Sequence, residues 1–86
     1  MITVRYKSSF VRQYKKLSSD LQQEMREKID LFKQDPRNVM LKVHKLGGKL
    51  RGSLAFSVNY RYRIVFEWEE KDVAVLLDVG DHNVYR

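Results

Sequence analysis

The sequence has no cysteine, which excludes a disulfide framework and a thiolate metal site. Histidine is scarce too. His44 and His82 are the only two, and neither belongs to an HxxH or HxxxH pair, so the chain offers no spaced metal ligands and implies no cofactor. Proline occurs once, at Pro36. Glycine occurs four times, with Gly47, Gly48 and Gly52 crowded into six residues, so backbone freedom is concentrated in one loop. No apolar run is long enough to span a bilayer, and the N-terminus lacks the apolar region of a signal peptide. A cytoplasmic protein with no membrane contact is expected. The phosphate-cradling GxxxxGK[ST] pattern is missing, and so is any nucleophilic-serine motif.

Acidic residues are missing from two long stretches. Residues 1–18 carry five basic groups and no acidic one, and residues 41–66 carry six basic groups and none acidic. Residues 19–40 are near neutral and residues 67–86 are net −4, giving +6 over the 86 residues. This length makes one small domain, 1–86, with a thin core. Two acid-free blocks point to a polyanion or an acidic protein as partner, if the fold joins them.

Periodicity supplies the elements. Ile2 to Tyr6 alternates and reads as a strand. Ser8 and Ser9 are candidate caps for a short helix with Phe10, Tyr14 and Leu17 on one face. Ser19 with Gln22 fits a capping box, and Leu21, Met25, Ile29 and Phe32 form the stripe of a second helix. Glu24 and Lys28 are spaced for an ion pair, and Asp35-Pro36 ends the helix. Leu54, Phe56 and Val58 alternate, then Tyr60, Tyr62, Ile64 and Phe66, then Val73, Val75, Leu77 and Val79. The predicted order is βααβββ: an α+β fold with a helical hairpin packed on a small, mainly antiparallel four-stranded sheet.

The chain is organised around His44 to Phe66, HKLGGKLRGSLAFSVNYRYRIVF. A glycine-rich loop leads into a strand, a turn near Asn59-Tyr60, and a second strand. On that second strand Arg61 and Arg63 are expected to share the face opposite Tyr60, Tyr62, Ile64 and Phe66. Guanidinium forks there suit phosphate. His44 and His82 both sit at the edges of elements, and an imidazole shuttles protons near neutral pH better than any other side chain here. Neighbouring cations would favour its neutral form and a base role. Lys45, Lys49 and Arg51 read as phosphate contacts.

At these residues the chain resembles the RelE/ParE superfamily of bacterial type II toxins. HKLGGKLRGSLAF is similar to the family's "KL.G…G" segment, NYRYRIVFEW to its "YR(I/L)(V/I)Y" strand, and VLLDVGDHNVYR to the "VGxHxxVY" ending of the ribosome-dependent RNase branch. The resemblance covers essentially the whole chain. It implies a RelE-like microbial RNase fold and a metal-independent endoribonuclease that cuts mRNA in the ribosomal A site by attack of the 2′-hydroxyl. It further implies Arg63 as the phosphate-holding arginine, His82 as acid or base, Tyr85 as the tail aromatic that contacts mRNA, and His44 as a second catalytic position. Lys45, Lys49, Arg51 and Arg61 become RNA-binding residues. The implied partners are the ribosome and a cognate acidic antitoxin, with a toxin–antitoxin heterotetramer as one assembly. Two departures stand out. Leu54 and Phe56 occupy strand positions where one branch carries lysines, and Arg61 stands where another carries an aspartate. The alternatives are a ParE-type DNA gyrase inhibitor, and a degenerate member that only binds RNA or antitoxin.

Overall fold

The computed structural model describes residues 1–81, without the side chain of Lys49. His82 and Tyr85 lie outside the described residues. Strand β1 (Thr3–Tyr6) is followed by helices α1 (Ser8–Lys15) and α2 (Ser19–Gln34). A short strand β2 (His44–Lys45) precedes β3 (Leu54–Ser57), β4 (Tyr62–Glu70) and β5 (Val73–Asp81). The sheet order is β1-β5-β4-β3-β2, with β1 parallel to β5 and the other pairs antiparallel. The predicted α+β architecture is present, with five strands instead of four. The added strand is two residues long, too short for any period to register.

Helix α2 forms where its sequence stripe predicts. Met25, Ile29 and Phe32 are buried, and the helix stops at Asp35 ahead of Pro36. Phe32 is the centre of the core. Its ring stacks on Phe56 at 4.5 Å between centroids and meets Phe66 edge-on at 4.8 Å. Ile64, Ala74 and Leu76 join this cluster from the sheet, and Phe10 joins it from α1. The helices are joined by residues 16–18 and locked through Tyr14. Its hydroxyl accepts from Arg26 Nη1 at 2.7 Å, and its carbonyl accepts from Gln22 Nε2 at 2.9 Å.

The caps differ from the sequence expectation. The N-cap of α2 is Ser18, whose Oγ accepts from the Leu21 amide, so Gln22 is released to bind Tyr14. Lys7 precedes α1 with no side-chain cap. Ser9 faces the sheet instead. β1 ends at Tyr6 opposite Leu76, leaving the next stretch of β5 without a strand on that side. Ser9 Oγ donates to the Leu77 carbonyl at 2.7 Å, and Gln13 Oε1 accepts from the Val79 amide at 2.7 Å. Two side chains of α1 thus stand in for a missing strand. Each substitution, Ser9→Ala and Gln13→Ala, is expected to lower the unfolding free energy by about 1 kcal/mol. In Gln13→Ala, hydrogen exchange at the Val79 amide should accelerate selectively.

The last strand also departs from simple alternation. The register is Val65 opposite Asp78 but Phe66 opposite Leu76, so Leu77 is an extra, bulged residue. Ala74 and Leu76 face the core before the bulge, and Val79 faces it afterwards, opposite Ile64. The predicted Val73-Val75-Leu77-Val79 face does not exist. The bulge turns Asp78 onto the sheet face opposite the helices.

Candidate functional site

That second sheet face is built from cross-strand rows, because partners in an antiparallel ladder share a face. One row runs His44, Ala55, Val65, Asp78, and the next runs Ser57, Arg63, Gly80. His44 and Arg63 therefore project from the same face. They are two strands and two residues apart, roughly 12 Å between Cα atoms by ordinary sheet spacing. The residues separating them, Ala55 and Ser57, are small. At the far end of this face Glu67 accepts from the buried Ser53 hydroxyl at 2.8 Å.

The imidazole of His44 is oriented. Its Nδ1 lies 2.9 Å from the carbonyl oxygen of Lys42. A carbonyl can only accept, so Nδ1 carries the proton and Nε2 of the neutral ring keeps a lone pair for base work. Lys42 is held in the left-handed region, φ 51° and ψ 46°, the only non-glycine with positive φ among the described residues. That conformation costs a side-chain-bearing residue about 1 kcal/mol or more, and here it aims the carbonyl at the histidine. Long-range ¹⁵N–¹H correlation spectra of the ring, at a pH where it is neutral, are expected to show a protonated Nδ1 and an unprotonated Nε2. The opposite tautomer would remove the base from this geometry.

Of the other predicted cations, Arg61, Lys45 and Arg51 lie at different places around β3. Arg61 lies in the turn before β4, not on the strand, and its guanidinium sits 5.4 Å from the centroid of the Tyr62 ring. The cause is Asn59. Its Oδ1 accepts from the amides of Arg61 and Tyr62 at 2.9 and 2.8 Å, closing a loop where continued strand was expected. Tyr60 is therefore not a core residue but is 88% exposed at the loop tip. Lys45 pairs with Leu54, on the row opposite to that of His44. Arg51 lies in the turn before β3, at the other end of that strand from Arg61. Leu54 and Phe56 face the helices, so the second-face positions of β3 are Ala55 and Ser57. No lysine stands on that strand in either register.

Three residues with a place near the site are not assigned to it by the sequence. Asp78 reaches the second face through the bulge. Lys42 shows its role only in its backbone conformation. Lys28 was assigned to an ion pair with Glu24, but Glu24 Oε2 accepts from Asn59 Nδ2 at 3.1 Å, and no salt bridge to Lys28 forms among the described residues. No group of three or more histidine, aspartate or glutamate side chains that could hold a metal occurs among the described residues. No helix among them is long and apolar enough to cross a membrane.

No protein-family model matches the sequence, and no curated protein matches it by sequence search. Solved structures do match the fold. YafQ from Escherichia coli BL21(DE3) superposes with a TM-score of 0.77 at 14% identity, covering 98% of this chain and 97% of that one. The toxin–antitoxin complex RelBE2 from Mycobacterium tuberculosis includes a chain with a TM-score of 0.76 at 22% identity, covering 94% and 98%. The YoeB/ParE toxin from Agrobacterium tumefaciens gives 0.75 at 14% identity, covering 94% and 99%. The chain shares the fold of these YafQ, RelBE2 and YoeB/ParE structures.

Proposed function

We propose that the chain is the toxin of a toxin–antitoxin pair and that it cleaves mRNA on the ribosome. The observation that carries this reading is the pairing of an oriented imidazole, His44, with a guanidinium, Arg63, on one sheet face. His44 Nε2 removes the proton from a ribose 2′-hydroxyl. The 2′-oxygen attacks the adjacent phosphorus, and the bond to the 5′-oxygen breaks. The products are a 2′,3′-cyclic phosphate and a new 5′-hydroxyl, whose proton comes from a general acid. His82 is the candidate for that acid and Tyr85 for a contact that holds the mRNA. Arg63 offsets the charge gathering on the phosphate oxygens. The bases Lys45, Lys49, Arg51 and Arg61 are spread around β3 and suit contacts with rRNA more than one grip on the scissile phosphate.

The acidic partner expected from the charge pattern is an antitoxin. The structural neighbours include toxin–antitoxin complexes, among them a heterotetrameric YoeB-YefM complex from Staphylococcus aureus. A gyrase inhibitor would need neither His44 nor its orientation, which favours the nuclease.

The test is to incubate purified chain with a reporter mRNA, with and without translating ribosomes, and to analyse the cut ends. Codon-phased cuts that require ribosomes and end in a 2′,3′-cyclic phosphate are expected. In His82→Ala they should weaken strongly. Undiminished cuts in that variant would move the acid role away from His82. Intact mRNA together with inhibition of DNA supercoiling would replace this reading by the gyrase one.

A further inference from the structure

Beside the site lies a groove of about 360 Å³ at the end of β3. Three cations from separate parts of the chain line it: Lys28 from α2, Lys42 from the left-handed turn, and Arg63 from β4. No carboxylate is among the described residues that line it. Lys28 is half-buried, and the nearest candidate to neutralise it along the helix, Glu24, is engaged by Asn59. Tyr60 forms one rim, its side chain almost fully exposed, and Met40, 62% exposed, also lines the groove. An aromatic ring held in water at the tip of a side-chain-tethered loop has no packing role, but it offers a flat face to a base. Lys42 adds to this, since a glycine would adopt its backbone conformation without strain and would bring no charge.

We infer that this groove is a second RNA subsite, which takes the nucleotide next to the scissile one, its phosphate between Lys28 and Lys42 and its base stacked on Tyr60. The inference deepens the nuclease reading and rests on it for the direction of the strand. Arg63 belongs to both the groove and the site, so a chain of nucleotides leaving the site along Arg63 enters the groove without a break. Charge alone would suit an acidic peptide equally. The continuity through Arg63 and the exposed ring favour a single-stranded nucleic acid, because stacking on an aromatic side chain tolerates every base.

The experiment titrates the full chain with a fluorescent 2′-O-methyl hexaribonucleotide of mixed sequence, which cannot be cut by 2′-hydroxyl attack, at several salt concentrations. Tyr60→Ala is expected to weaken binding at least about fivefold, while Tyr60→Phe stays within about twofold of wild type. Lys28→Gln should weaken binding and reduce the salt slope by about 0.7. Lys16→Gln, an equal charge loss just past α1, should leave affinity within about twofold. Melting curves of all four variants should match wild type, since the groups removed are exposed or half-buried. The proposal is overturned if wild type does not bind, if Tyr60→Ala and Lys28→Gln bind as wild type does, or if Lys16→Gln loses as much as Lys28→Gln. It is also overturned if a polyglutamate decapeptide displaces the hexamer and shows the same dependence on Tyr60 and Lys28, which would assign the groove to an acidic protein. The same variants in the ribosome assay separate the two readings. Cleavage by wild type with hexamer affinity unmoved by both variants removes the groove and keeps the nuclease. Binding that depends on Tyr60 and Lys28 in a chain that cuts nothing upholds the groove and removes the nuclease.

Discussion

His44→Ala is expected to slow ribosome-dependent cleavage by roughly 10²–10⁴-fold, the range that positioned acid–base catalysis contributes. RNA binding should change by less than about threefold, and the melting temperature by a few degrees at most. The reasoning is local. His44 is exposed on a two-residue edge strand, and among the described residues its ring hydrogen-bonds to the Lys42 carbonyl. Little packing is lost with it, so a large fall in rate would report chemistry and not folding. His44→Gln is the companion variant. An amide at this position still hydrogen-bonds but is not a base, and it should be as slow as the alanine. A glutamine variant that cuts at near wild-type rate would show that residue 44 only positions RNA.

The second large effect is on stability. Phe32→Ala should cost about 3–5 kcal/mol, since it removes a fully buried ring and leaves a cavity between α2 and the sheet. A domain of this size has a marginal reserve, so that loss should leave much of the protein unfolded at ambient temperature. Phe32 touches three aromatic rings, those of Phe56, Phe66 and Trp68, which draws the loss toward the upper end of the range. Urea unfolding measures it directly. A loss below about 1.5 kcal/mol would mean that the core closes over the gap, and that α2 is held mainly by its polar contacts through Tyr14.

How far the sequence could be read depended on whether one residue's environment follows from its own neighbours in the chain. The stripe of α2 and the core face of β4 repeat with a clean period, and Met25, Ile29, Phe32, Ile64 and Phe66 all lie where that period puts them. Arg63 was legible for the same reason. The pairing of His44 with Arg63 was not. It depends on the register between β2 and β3, which no local pattern encodes. Arg61 was misplaced because the alternation of tyrosines and arginines continues through a loop that the Asn59 side chain closes. The face of β5 was misplaced because one bulged residue, Leu77, shifts every position after it. Lys28 looked like half of an ion pair because helical spacing is local, whereas the contact between Glu24 and Asn59 spans 35 residues. The Asn59 loop is a short-range turn hidden by the alternation, whereas the His44 register, the β5 bulge and the Glu24–Asn59 contact join residues distant in sequence. The site is assembled from such joins, while the core is mostly built from repeats.

The most direct test of the account is primer extension on a reporter mRNA in a reconstituted translation system, with wild type, His44→Ala and Arg63→Ala side by side at equal concentration. The account predicts codon-phased stops with wild type and none with either variant, all three proteins being folded by circular dichroism. Intact mRNA with wild type, or stops of full strength with both variants, would contradict it.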